Sequence, residues 1–313
     1  VSHKVRSPRG PLSGRLLGAL AALAFLVTGC TSPDPKPDAS ILVEGQKIRL
    51  GMKNDQPGTG FMRHAEEFEG FDLAVSRDLI GRVGLDPEAI EPQPLQSKNR
   101  AKALQKDRVD LVAATYSITA QRMRPMNDDN GDGLDFVGPY VSTPQGVLIR
   151  AADKGRYRNL TDFHGKQICV WPGTTSMNEL KKPAYDKIGK TEATDAGECV
   201  KKLKENMVDA VSTDQLILYG FMAAEPTLAV VPTIEFGEIN QYGIAMFRTP
   251  AHRKDCLKLR DALKKYVTGN DWDHDLENNL PSVPVAARNE ARPTLDDIEA
   301  MSCREKPGNA PVG

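Results

Sequence analysis

The residues of this chain able to do chemistry are its cysteines, two hydroxyl-rich turns, and arginines near them. Ser117-Ile118-Thr119 and Gly173-Thr174-Thr175-Ser176 each place hydroxyl residues where a helix would begin. The unpaired N–H groups of a helix start form a ready anion site, and Gly173 lets an anion approach the backbone closely. Arg122 follows the first turn, and a guanidinium offers a planar fork that matches a carboxylate. Cysteines stand at 30, 169, 199, 256 and 303 with no Cys-x-x-Cys spacing, which argues against a zinc site. Asp128, Asn130 and Asp132 alternate like the start of a calcium loop, but its twelfth position is Pro139 rather than Glu. An acidic turn with Asn-Gly and Asp-Gly signals is the better reading. The chain has no Gly-x-Ser-x-Gly and no His-Glu-x-x-His, so its residues suit holding a charged molecule more than breaking bonds.

The elements that must position these residues begin after an export signal. Lys4, Arg6, Arg9 and Arg15 precede an apolar run from Leu16 to Val27. That run is shorter than the roughly 20 residues that cross a bilayer, so residues 1–29 read as a cleaved signal peptide. Val27-Thr28-Gly29-Cys30 resembles the lipobox of bacterial lipoproteins, which implies lipidation at Cys30. Residues 30–40, with Pro33, Pro35 and Pro37, read as a stiff tether. With 41 Lys and Arg against 42 Asp and Glu, the chain lacks the basic signature of nucleic-acid binding. No cofactor motif stands out.

After Cys30 four cysteines remain, an even number that in an exported protein favours disulfides. Of the three pairings, Cys169 with Cys199 and Cys256 with Cys303 keeps each bond within one segment of chain. Strand and helix then alternate. Ile48–Met52 reads as a strand, and Phe71, Val75, Leu79 and Val83 mark one face of a helix. A helix near Arg100–Lys106 leads to a strand over Val109–Ala114. A second cycle repeats this plan: a strand through Gly165–Trp171, a helix whose Ser176 and Glu179 stand in capping-box spacing, a helix over Glu198–Glu205 and a strand over Val208–Ser212. Tyr242–Phe247 is a further strand, followed by a helix from His252 to Tyr266 with Leu257, Leu263 and Val267 among its apolar positions.

Several segments in order carry a resemblance: Phe68-Glu69-Gly70-Phe71-Asp72-Leu73-Ala74, Ser97-Lys98-Asn99-Arg100, Tyr116-Ser117-Ile118-Thr119-Ala120-Gln121-Arg122, Asp135–Tyr140, Gly173–Ser176 and Val208–Asp214. Together they resemble the extracytoplasmic amino-acid-binding proteins of ABC importers, and among these the glutamate and aspartate binders of actinobacterial lipoprotein type. The resemblance implies an α/β type II periplasmic-binding fold of two α/β lobes joined by a two-stranded hinge. Residues 41–143 and 241–313 would form lobe one and 144–240 lobe two.

The resemblance also implies roles. Arg122 would hold the ligand α-carboxylate, with amides of Ser117 and Thr175 beside Thr174. Asp214, the Thr115 carbonyl and the Ser117 hydroxyl would receive the α-ammonium. Ser97 and Arg100 would hold a distal carboxylate, with Lys53 close by. Lys53, Arg100 and Arg122 against Asp214 leave a net charge of plus two, which favours an acidic ligand. The expected protein is a monomeric, lipid-anchored binder on the outer face of the cell membrane that delivers an acidic amino acid to an ABC importer permease. A sensor touching a membrane receptor is the alternative; a dehydratase on the same fold is the catalytic one, disfavoured because no histidine falls at a pocket position.

Overall fold

A computed structural model describes residues 38–304, apart from 65, 66, 127 and 129, together with Val1. Cys30, the signal segment and most of the tether lie outside the described residues. Among the described residues the main sheet has nine strands. Ile48–Met52 is buried along nearly its whole length and pairs in parallel with Ile90–Pro94 on one side and Leu111–Val112 on the other. Near-continuous burial is what a parallel strand covered on both faces requires. A second parallel block sets Gln167–Val170 between Ala210–Asp214 and Gly189–Glu192.

Two long antiparallel strands join the blocks. Leu134–Arg150, 17 residues long, leaves the first block and ends against Ala210–Asp214 and Leu228–Val230. Phe236–Phe247 returns beside it and reaches the first block where Ala245 pairs with Val112. The two strands come very close at Gly138, where a Cβ would stand 2.8 Å from the Gly243 Cα. Side chains larger than hydrogen would push this crossing apart. A separate three-stranded sheet of Asp55–Gln56, Gly60–Met62 and Phe68–Glu69 caps the first block.

Helix Phe71–Arg82 follows the expected stripe, with Phe71, Val75 and Leu79 buried and Val83 at its C-cap. Gly70, at φ 123°, lets it start hard against the small sheet, since a Cβ there would lie 2.4 Å from the Thr59 carbonyl oxygen. Phe71 packs edge-on to Trp272 and tilted to Tyr140, both at 6.1 Å between ring centres. After the second crossing the chain returns to the first block through helix Pro250–Thr268, capped by the Thr249 side chain. Its buried stripe is Cys256, Leu259, Leu263, Tyr266 and Val267, whereas Leu257, expected on that stripe, is exposed. Leu257 sits one residue off the three-and-four spacing that faces the core.

Two other expectations are corrected. Of Val109–Ala114 only Leu111–Val112 pairs as strand, because the chain turns at Thr115, whose φ is 46°. The Ser176–Glu179 capping box does not form. Thr174 reaches the helix start first, accepting a hydrogen bond from the Met177 N–H, and Glu179 instead meets Lys182 and Tyr185. Both expected disulfides are present: Cys169–Cys199 ties a strand of the second block to helix Ala196–Lys204, and Cys256–Cys303 ties helix Pro250–Thr268 to the described C-terminal end. Among the described residues no helix is long and apolar enough to cross a membrane.

Candidate functional site

The C-terminal ends of the parallel strands in both blocks open toward each other, which is where open α/β sheets place their ligands. From the first block, the turn Ser97–Asn99 feeds helix Arg100–Gln105, and the chain leaving Leu111–Val112 runs through Thr115 and Ser117 to helix Ala120–Met123. The Thr119 side chain caps that short helix, and one turn on it holds Arg122 inward. From the second block, Val170 leads into Trp171, Gly173 and Thr174, and Ala210–Asp214 delivers Asp214 to the head of helix Gln215–Ala224.

These segments line a narrow cleft. Seven of the expected residues line it: Ser97, Arg100, Thr115, Ser117, Thr174, Thr175 and Asp214. Gln56, Trp171, Thr213 and Ile217 line it as well, and sequence reasoning missed them. Trp171 and Thr213 each had a signal, because they sit at the C-terminal ends of parallel strands. Ile217 could have been reached as the first helical turn after Asp214. Gln56 had none, since it enters from the two-residue strand of the small sheet.

Arg100 is 3% exposed and its guanidinium is almost fully committed. Nε donates to Ser97 O at 3.0 Å, Nη1 to Ala114 O at 2.8 Å and Thr115 O at 3.1 Å, and Nη2 crosses the cleft to Gly173 O at 2.6 Å. Arg122 does not line the cleft. It lies behind it, donating from Nη1 to Ser117 O at 2.5 Å and from Nη2 to the same Gly173 O at 3.1 Å. Both guanidiniums stack on Tyr116, at 4.2 and 4.4 Å from the ring centre. A ring face attracts cations, and it holds these two near each other. Burial, then the neighbouring Arg122, pulls Arg100 down to about 10, so it remains a cation at neutral pH.

Asp214 accepts hydrogen bonds from Asn240 Nδ2 and Tyr242 Oη, both at 2.6 Å. It stands at the N-cap of helix Gln215–Ala224 but makes no side-chain cap bond, so its carboxylate faces the cleft instead. Burial raises it to about 6, against the hydrogen bond from Tyr242 and the pull of Arg100 and Arg122. Trp171 Nε1 donates to Ser97 Oγ at 3.2 Å, a further link between the two blocks.

Lys53, expected close to the distal carboxylate, is also absent from the cleft lining. It does not reach the cleft: it is fully buried and pairs with Asp55 at 3.0 Å, and its pKa is lowered mainly by burial. Asp55 also accepts the Gly197 N–H, at 3.1 Å, from the start of helix Ala196–Lys204. The acidic turn places Gly131 N against Asp128 O, and no group of three or more metal-ligating side chains occurs among the described residues.

Two α/β lobes on a two-stranded hinge, with a charged cleft between them, define a binding protein with the type II periplasmic-binding fold. The chain belongs to the bacterial extracellular solute-binding proteins, family 3, whose model matches residues 48–276. It is 29% identical over 276 residues to a glutamate-binding protein, GluB, of Corynebacterium glutamicum, covering 85% of this chain and 90% of that one. It is 27% identical over 195 residues to the ABC transporter glutamine-binding protein GlnH of Bacillus subtilis, covering 61% of this chain and 67% of that one. Among solved structures, an ancestral arginine-binding protein bound to arginine matches with a TM-score of 0.63 and 25% identity over 74% of this chain and 97% of that one.

Proposed function

We propose that this protein captures an acidic amino acid, glutamate or aspartate, for ABC-type import and releases it unchanged. The observation that carries this reading is the pair of buried arginines: every hydrogen bond found for their guanidiniums among the described residues goes to a carbonyl oxygen. A buried cation without an anion is costly, so the site is built to receive negative charge. An amino acid uses one arginine for its α-carboxylate and Asp214 for its α-ammonium. The second arginine then needs a second carboxylate.

With Lys53 neutralised by Asp55, Arg100 and Arg122 against Asp214 leave the cleft at plus one, which matches a ligand of minus one. On this reading Arg122, freed from Gly173 O, grips the α-carboxylate with the amides of Ser117 and Thr175, beside Thr174. Arg100 and Ser97 take the side-chain carboxylate. The glutamate-binding relative supports the acid, and the glutamine-binding one supplies the competitor to test. Residues 41–143 with 241–313, and residues 144–240, are proposed as the two lobes. Lipidation at Cys30 would hold a monomer on the outer face of the cell membrane beside its permease.

Calorimetry on soluble protein beginning after Cys30 tests this against glutamate, aspartate, glutamine and asparagine. An acid should bind at least 100-fold more tightly than its amide, given about 3 kcal/mol or more for a broken buried pair. Equal or tighter binding of the amides refutes the acidic assignment, and chemical change of the recovered ligand refutes simple capture.

A further inference from the structure

One cleft residue holds an unusual backbone. Thr115 is β-branched yet has a φ of 46°, a conformation that an L side chain with a branched Cβ resists. Such strain persists only where neighbours over-determine it. Here the neighbour is Asp72, in the first turn of helix Phe71–Arg82, 1% exposed and outside the cleft lining. Its Oδ2 accepts the Thr115 N–H at 2.9 Å, and its Oδ1 is held by the Tyr140 hydroxyl at 2.6 Å. On the other side of the same residue, Thr115 O accepts from Arg100 Nη1 at 3.1 Å, and Thr115 Oγ1 lies 3.0 Å from Gln56 Oε1 in the cleft wall.

We infer that Asp72 is a positioning residue for ligand capture: its carboxylate clamps Thr115 in the left-handed conformation that aims the Thr115 carbonyl at Arg100 and the cleft. The inference rests on the proposed binding function. Asp72 touches no ligand itself. It acts through one backbone N–H, and a charge-assisted bond to that N–H is stronger than a neutral one. Tyr140 fixes the carboxylate so that Oδ2 stays on Thr115. Without the clamp, Thr115 relaxes toward negative φ, its carbonyl swings, and Arg100 loses one of its anchors.

The decisive experiment is a double-mutant cycle read by calorimetry with glutamate on the whole soluble protein. Asp72→Ala in the native background is expected to weaken glutamate binding about 10-fold or more. In a Thr115→Gly background the same substitution should cost about threefold or less, because glycine adopts positive φ without help. Asp72→Asn retains an acceptor for the Thr115 N–H and should stay within a few-fold of the native affinity. Equal losses in both backgrounds, or no loss in the native one, overturn the clamp. If Asp72→Ala alone does not fold, Thr115→Gly should restore folding and binding together, and a double variant that stays unfolded overturns it too. Native protein that binds none of the four amino acids would refute the binding function and not the clamp.

Discussion

Replacing Arg100 by alanine separates the two arginines. The guanidinium has five N–H groups, and four hydrogen bonds, to Ser97, Ala114, Thr115 and Gly173 carbonyls, hold it with one Nη2–H left for a ligand. Removing it exposes those carbonyls to an imperfect environment, at a cost of about 1 to 3 kcal/mol in folding stability. For glutamate the loss is larger, since a distal carboxylate is left buried without its cation. That costs about 3 to 5 kcal/mol, or roughly two to four orders of magnitude in affinity. Glutamine loses only a hydrogen bond to a charged donor, about 1.5 kcal/mol or tenfold. The preference for glutamate over glutamine should therefore collapse by about 100-fold. Calorimetry with both ligands measures it, and a thermal melt separates the stability loss. Equal losses for both ligands would mean that Arg100 grips the α-carboxylate and that the two arginines exchange roles. An unchanged glutamate affinity would remove Arg100 from the site.

Burial raises Asp72 and Asp214 to about 6, above the ordinary value of 3.8, so the folded state binds their protons more tightly than the unfolded chain. Their contribution to stability therefore grows as pH falls through 6 and is complete below 3.8, while affinity should drop below pH 6 as Asp214 loses the charge that meets the ammonium. Melts and calorimetry between pH 7 and 5 should move in opposite directions, and Asp214→Asn should shrink the gain in stability; parallel movement contradicts the assignment. Lys53→Met leaves Asp55 unpaired and should cost about 3 to 5 kcal/mol in urea unfolding, with ligand preference preserved. Lys53→Met with Asp55→Leu should recover most of that loss, and a shift in acid preference would return Lys53 to the cleft. Removing the Cys169–Cys199 bond, which spans 30 residues, should cost about 2 to 4 kcal/mol, read as a fall in melting temperature under non-reducing conditions.

The disulfide partners were readable because each pair lies within one stretch of chain that folds locally. The cleft hydroxyls were readable because they sit in turns between strand and helix. Lys53 was not, since its neutralising partner is two residues away on a strand that folds back beside it. Gln56 and the Asp72 clamp were invisible for another reason: each acts through a residue distant in sequence, Thr115. Helix Phe71–Arg82 was plain from its periodicity, but that periodicity carries no signal for its buried Asp72.

From sequence alone came the alternation of strands and helices, the repeated plan, the charged residues proposed for the site and the family likeness. All of these depend on local periodicity, on turn chemistry and on the order of short motifs. Tertiary structure decided which charges remain available. Lys53 is paired with Asp55, while Arg100 and Arg122 stand together on Tyr116 with carbonyl partners and act electrostatically on Asp214. Net charge in a cleft depends on which way the folded backbone turns each side chain, near or distant in sequence, and residue types along the chain do not encode that.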